Sequence, residues 1–290
     1  MSGDSPHAKA LHWRINCFCN RKCPFCYGPQ QKHEVDLEKA LPVLERFIEH
    51  GITTFILTGG EPLLSKKIDK VLGFLKARGS KVVLYTNCDF FDFHEDVIAE
   101  FVDTLCIPID GASEYTHDMV RGKNNMRAVV GVLNRYATAS SPLTVKVGTV
   151  VGRNNLHELR GILYLLDKYR IDTWKLYQYL RYSDRDLQKL WSSQQLSVTD
   201  SEYRSAVQPL LSVEPRRTRV SISSEFDRES SYLMMNPDLE IIVPMRNETG
   251  VFEDKVICNA ETTQPPQMEK LWREKVDVAS YQRNLIASNF

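Results

Sequence analysis

The sequence predicts an α/β fold: a partial (β/α)6 barrel carrying a C-terminal extension. Three observations lead there. Between residues 11 and 180, β-branched or aromatic runs alternate six times with helical-period segments, at spacings of roughly 25 to 35 residues. That alternation implies parallel strands with right-handed crossovers, and six units fall short of the eight that close a barrel. The residues with the most chemistry collect where strands end or within the last two strands, and such folds bind ligands at strand C-termini.

Each element has its own signal. Leu11 to Phe18 reads as a strand delivering a cysteine-rich loop. Over Val35 to His50, Leu37, Leu41, Leu44 and Phe47 form one apolar stripe that Gly51 stops. Thr53 to Thr58 is a short buried strand running into Gly59-Gly60-Glu61-Pro62. Val71, Leu72, Phe74 and Leu75 mark a helix ending near Gly79, and Lys81 to Thr86 a strand followed by Asn87-Cys88-Asp89. A helix near Glu95 to Phe101 leads to the strand Thr104 to Ile109. Asn125 to Ala137 is helical, Thr144 to Val151 a strand, Leu156 to Tyr169 a helix and Thr173 to Leu180 the sixth strand.

After residue 180 the alternation stops. Arg181 to Gln195 is polar and reads as a solvated helix or loop, and Val198 to Leu211 as a helix capped by Thr199 or Ser201. Arg219 to Ser224, Ser231 to Met235 and Glu240 to Pro244 read as short strands, the last two joined by a turn at Asn236-Pro237-Asp238. A final helix is expected near Met268 to Lys275. The expected organisation is a tail over 1–10, a core over 11–180 and an extension over 181–290.

Composition narrows the function classes. The 290 residues are 42% hydrophobic, enough for a sizeable core. Lys+Arg and Asp+Glu both number 37, so no global basic field argues for a nucleic-acid partner. No apolar run reaches the length of about 18 residues that a membrane span needs. The first ten residues lack the apolar stretch of a signal peptide, which points to the cytoplasm, where thiols stay reduced.

Four of the seven cysteines fall within ten residues, as Cys17 and then Cys19-Asn-Arg-Lys-Cys23-Pro-Phe-Cys26. Positions 19, 23 and 26 have helical spacing, but Pro24 inside the stripe would cost a helix about 3 kcal/mol, and Gly28-Pro29 follow. A loop is favoured. Cys23-Pro-Phe-Cys26 matches a redox dithiol, which leaves Cys19 without a role. Structural zinc takes four ligands, usually as two separated pairs. Three evenly placed thiolates on a four-iron cube instead leave one iron open, and a four-residue span of at most about 14 Å curls round such a cluster with slack. Cys88, Cys106 and Cys258 are isolated and read as small core residues.

The C-x3-C-x2-C spacing, with the aromatic Phe25 before its last cysteine, resembles the signature of radical S-adenosylmethionine (SAM) enzymes. Gly59-Gly60-Glu61-Pro62, about 33 residues after Cys26 and at the end of the next strand, resembles that family's second motif. The likeness covers Leu11 to about Leu180. It implies a [4Fe–4S] cluster on Cys19, Cys23 and Cys26, SAM on the open iron, and an electron donor of flavodoxin or ferredoxin type. One electron then cleaves SAM to methionine and a 5′-deoxyadenosyl radical that abstracts a substrate hydrogen. It further implies that Gly59, Gly60 and Glu61 meet the SAM amino group, and that Thr86, Asn87, Asp110 and Ser113 bond the ribose. In His117-Asp-Met-Val-Arg121-Gly122 it assigns Arg121 to the SAM carboxylate. Adenine would pack at Thr149 to Val151, Val150 included, and at Leu176 to Gln178, with Phe25 nearby.

Candidate substrate residues are Tyr232 and the two lysines Lys146 and Lys175, unusual inside barrel strands, which either face outward to water or point at an anionic substrate group. Trp174-Lys175-Leu-Tyr-Gln178 and Ser231-Tyr232-Leu resemble segments of viperin, the radical SAM enzyme that dehydrates a nucleoside triphosphate. Trp13, Thr54 and Thr173 stand where that enzyme has polar or basic triphosphate contacts. The expected reaction is therefore hydrogen abstraction from a small molecule, nucleotide-like or biosynthetic, with a peptide substrate as the alternative. A zinc-binding module or a thioredoxin-like protein is the alternative outside the class.

Overall fold

Strands such as Thr54–Thr58 and Thr104–Pro108 are buried along nearly their whole length, so both their faces must be covered. The computed structural model satisfies this with a sheet whose helices cover its outside. It describes residues 9–138, 140–183, 193–213 and 217–287. Most of the expected N-terminal tail, and residues 184–192 of the polar stretch after 180, lie outside them.

The six expected strands form as β1 (Ala10–Arg14), β2 (Thr54–Thr58), β3 (Lys81–Tyr85), β4 (Thr104–Pro108), β5 (Thr144–Val151) and β6 (Thr173–Gln178). They pair in parallel in chain order. Between them run α1 (Leu37–Glu49), α2 (Ile68–Lys76), α3 (Glu95–Phe101), α4 (Glu114–Arg121), α5 (Asn125–Tyr136) and α6 (Leu159–Leu166). On α1 the buried residues are Ala40, Val43, Leu44 and Phe47, and Asp36 caps its N-terminus. Helix α4 was not expected. Ser113 and Thr116 close a reciprocal capping box at its start, and only His117 and Val120 of it are buried. That single buried turn leaves too short a stripe to read.

The strand pleat sorts β1 into two faces. Leu11, Trp13 and Ile15 enter the main apolar core, while Ala10, His12 and Arg14 line an interior cavity. Trp13 therefore belongs to the packed outer layer.

Residues beyond 180 add to both sides of this sheet. After α7 (Asp200–Val207), whose cap is Thr199, β7 (Arg219–Ser223) pairs in parallel with β6. The two-residue β8 (Met234–Met235) pairs in parallel with β1, and β9 (Glu240–Arg246) and β10 (Phe252–Asn259) continue antiparallel beyond it. Among the described residues the order is β10-β9-β8-β1-β2-β3-β4-β5-β6-β7. Parallel pairing thus runs past the six expected strands. Strand β8 is the C-terminal part of the strand expected at Ser231 to Met235. Strand β10 was missed because Lys255 and Val256 are exposed and its sequence lacks a clean alternation.

Among the described residues, the segment after β6 reaches the far strand β10. Tyr182, just past β6, forms a bridge to Phe252 at the start of β10. The Phe252 N–H donates to the Arg181 carbonyl at 2.9 Å, and the Ser183 N–H to the Phe252 carbonyl at 3.0 Å. Helices α8 (Pro265–Arg273) and α9 (Val278–Ala287) complete the described chain; α8 starts at a proline pair, as helices tolerate, and α9 was not expected. Among the described residues no helix is long and apolar enough to cross a membrane.

Candidate active site

One cavity of about 290 Å³ opens at the C-terminal ends of the strands. Cys19, Cys23, Cys26 and Phe25 line it from the loop after β1, Gly59, Gly60 and Glu61 from the end of β2, and Thr86 and Asn87 from the end of β3. Arg121, Val150, Lys175 and Tyr232 complete the expected set on its wall.

The Gly-Gly-Glu-Pro motif is bonded to the residues that lead into the cysteine motif. The Gly60 N–H donates to the Asn16 carbonyl at 3.0 Å and the Glu61 N–H to the Phe18 carbonyl at 2.8 Å. The Asn16 side chain donates to the Glu61 carbonyl at 2.8 Å. A Cβ on Gly60 would lie 2.0 Å from the Phe18 carbonyl oxygen, and one on Gly59 2.3 Å from Asn16 Oδ1. The glycine pair is thus needed for the backbone crossing of the cysteine loop over β2.

Glu61 is 1% exposed, and its carboxylate is engaged by the protein itself. Oε1 accepts from the Leu63 N–H (3.1 Å) and the Thr86 hydroxyl (2.7 Å), and Oε2 from the Asn87 N–H (2.7 Å). Burial outweighs these bonds and pushes its carboxyl up to about 7. Glu61 therefore ties the β2 end to the β3 end.

The three thiols fit a cluster. Burial pushes Cys19 up to about 11 and Cys23 up to about 12, so as bare thiols both keep their protons at neutral pH, and iron would replace them. The Arg21 N–H lies 3.3 Å from Cys19 Sγ and the Asn87 amide nitrogen 3.7 Å, two donors aimed at a sulfur. None of the seven cysteines is in a disulfide. Among the described residues no three His, Cys, Asp or Glu side chains converge as a single-ion site requires. A cube does not need them to, because it takes each thiolate on a different iron.

Arg121 is held from behind. Its Nε donates to Asp110 Oδ2 at 2.6 Å, and its guanidinium stands 4.9 Å from the centre of the Phe25 ring. Asp110 is fully buried, and its other oxygen accepts from the Val150 N–H at 2.7 Å. Despite burial, the charge of the Asp110 carboxylate and its hydrogen bond hold the guanidinium charged.

Three expected contacts lie off the cavity wall. Asp110 sits under Arg121, Ser113 caps α4, and Gln178 accepts from the Glu225 N–H (2.9 Å) while donating to the Val198 carbonyl (3.2 Å). Lys146 also misses the main cavity; it lines a void of about 20 Å³ one layer below, with Cys106, Thr173 and Tyr177. Lys175 lines both spaces.

Tyr177, inside the segment expected to pack adenine, lines the cavity, and so do five residues that gave no sequence signal: His12, Arg14, Tyr27, Tyr182 and Arg228. Arg14 pairs with Asp254 of β10 at 2.5 Å, faces the Tyr27 ring at 5.4 Å, and its buried Nη2 has no hydrogen-bond partner among the described residues. Tyr27 stacks on Tyr182 at 5.7 Å, and His12 meets Tyr232 edge-on at 4.9 Å. Lys175 Nζ and the Arg228 guanidinium both face the Tyr177 ring, at 5.3 and 5.7 Å. Burial and the charge of Lys175 push His12 down to about 3, so it is a neutral imidazole in a cationic neighbourhood. Alternation on β1 and β6 marks His12, Arg14 and Tyr177 as inward, though nothing in it shows that a cavity lies there; Tyr27, Tyr182 and Arg228 lie outside both strands.

The model of the radical SAM superfamily matches residues 13–166. The AdoMet-dependent heme synthase of Nitratidesulfovibrio vulgaris is 23% identical over 188 residues, 61% of this chain and 50% of that protein. The S-adenosylmethionine-dependent nucleotide dehydratase of Lacinutrix mariniflava is 23% identical over 245 residues, 76% of this chain and 47% of that protein. The sporulation killing factor maturation protein SkfB of Bacillus subtilis is 24% identical over 50% of this chain and 36% of its own. The chain spans about half the length of the heme synthases it matches. Among solved structures, Streptococcus suis SuiB bound to S-adenosylmethionine superposes with a TM-score of 0.69 at 12% identity, covering 96% of this chain and 68% of that one. That likeness is one of fold.

Proposed function

The chain belongs to the radical SAM superfamily, whose members use a [4Fe–4S] cluster and SAM, and from that premise we propose that it is an enzyme abstracting hydrogen from a small molecule held in the lower half of the cavity. One observation carries the reading: the three motif cysteines, the glycine pair and the inward side chains Lys175, Tyr177 and Tyr232 are walls of one enclosed space.

In this reading Cys19, Cys23 and Cys26 hold the cluster. Gly59, Gly60, Thr86, Asn87, Arg121 and Val150 hold SAM, with Phe25 packed beside Arg121. Asp110 positions Arg121, whose fork suits a carboxylate. When bound, the cluster and SAM supply a carbon-centred radical that takes a hydrogen atom from the substrate. The protein's own part is orientation and exclusion of water. Tyr27, Tyr182 and Phe252 form an aromatic row flanking the cavity on the open side of the sheet. Lys175, Arg228 and Tyr232 face the substrate.

The nucleotide dehydratase supports the small-molecule reading, because its match covers 76% of this chain, more than residues 1–180 can hold. A peptide substrate is the second reading, favoured by the match to SkfB. An electron donor of flavodoxin or ferredoxin type, and a division of roles between residues 11–180 and 181–290, belong to the same proposal.

Anaerobic reconstitution with iron and sulfide, then reduction in the presence of SAM, tests it. The expected result is a brown protein that releases 5′-deoxyadenosine, with both properties lost in Cys19→Ala. A colourless, zinc-loaded protein, or Cys19→Ala with undiminished colour, refutes it. Deuterium transfer from candidate nucleotides or peptides into 5′-deoxyadenosine separates the two substrate readings.

A further inference from the structure

Asp89 follows β3 and falls in a segment, Asn87-Cys88-Asp89, to which the proposed chemistry gives only Asn87 a role. Its carboxylate grips the cysteine loop. Arg21 donates to it through both arms of its fork, Nε to Oδ2 and Nη2 to Oδ1, each at 2.6 Å. Asn20 donates to Oδ2 at 2.5 Å, and Asn125 of α5 to Oδ1 at 3.2 Å. The third arm of Arg21 donates to the carbonyls of Arg121 and Gly122, each at 2.9 Å. The two side chains are only 11% and 14% exposed.

Asn20 and Arg21 are two of the three residues between Cys19 and Cys23. The Arg21 backbone N–H points at Cys19 Sγ, and Asn87, whose Oδ1 accepts from the Asp89 N–H, turns its amide toward the same sulfur. Asn125 also donates to the Asn87 carbonyl at 2.8 Å and pairs with His117 at 3.0 Å, whose other ring nitrogen accepts from the Asp110 N–H. One continuous set of bonds therefore runs from the loop between the cysteines to the backbone N–H of Asp110, the residue beneath Arg121.

We propose that Asp89 and Arg21 are a positioning pair: they hold the Cys19–Cys23 span in shape, keep two N–H donors on Cys19 sulfur, and so set how tightly iron is retained. The inference rests on the cluster assignment above. Outer partners of metal ligands commonly change affinity by about 10- to 100-fold, and hydrogen bonds to sulfur tune cluster potentials.

The test uses the reconstituted protein without substrate. Removing the pair as a neutral unit, R21L/D89L, avoids stranding one charge beside the cluster. It should release iron to a strong chelator about 10-fold faster than wild type, and its cluster should have a more negative reduction potential. Arg21→Lys, which keeps the charge but not the fork, should fall between. If the double variant fails to fold, Asp89→Asn carries the same measurement. Folded variants with wild-type iron release and potential overturn the proposal while leaving the cluster assignment intact. A wild-type protein that retains no iron overturns both.

Discussion

Lys175 is 7% exposed, and burial, followed by the charges of Arg228 and Lys146, pushes its ammonium down to about 8. Between about pH 8 and the ordinary lysine value of 10.5 the unfolded chain binds more protons at this position than the folded one. Stability should therefore rise with pH across that window. Lys175→Met should flatten the rise and raise the melting temperature of the cofactor-free protein at pH 7. At about 1.4 kcal/mol per unit, the gain is at most on the order of 3 kcal/mol. Thermal melts of both proteins from pH 7 to 10.5 check this. A variant that melts higher yet turns over less would mark Lys175 as kept for its chemistry at the expense of stability. A variant that melts lower at pH 7 would show that the ammonium is well accommodated in the empty site.

Glycine acts at the scale of an element. Gly60→Ala drives a Cβ into the Phe18 carbonyl, so it should displace the cysteine loop and abolish cluster loading. Gly131 lies inside α5 with nothing within 4 Å of its added Cβ, so Gly131→Ala should stabilise by about 0.5–1 kcal/mol. Urea unfolding of the two variants, with iron content measured alongside, separates them. The contrast shows what a sequence can reveal. The cysteine spacing and the Gly-Gly-Glu-Pro run are legible because each is written in consecutive residues. The reason for the glycines is not, because the clashing carbonyl lies 42 positions earlier in the chain. Arg14 finds Asp254 across 240 positions, and Asp89 finds Arg21 across 68. Such pairings leave no periodicity behind. The family resemblance points Asp110 at the ribose and places Gln178 in the adenine segment. Here their hydrogen bonds are taken up by Arg121, Val150, Val198 and Glu225.

Across the whole molecule, the sheet shows how residues after 180 serve the site. β7 covers the free edge of β6, and β8 that of β1. Arg228, Ser231 and Tyr232 then supply part of the cavity wall. A chain ending at residue 183 would expose both edges and lose the Arg14–Asp254 pair, so it should not fold cooperatively. Circular dichroism melts of that truncation check the expectation, and a sharp transition near the full-length value would refute it. The bonds from Gly60 and Glu61 to Asn16 and Phe18 have one more consequence. Cysteine loop and glycine strand behave as a single heritable part. A chimera that borrows either from a distant relative without its mate should lose the cofactor, and one that exchanges both together should keep it.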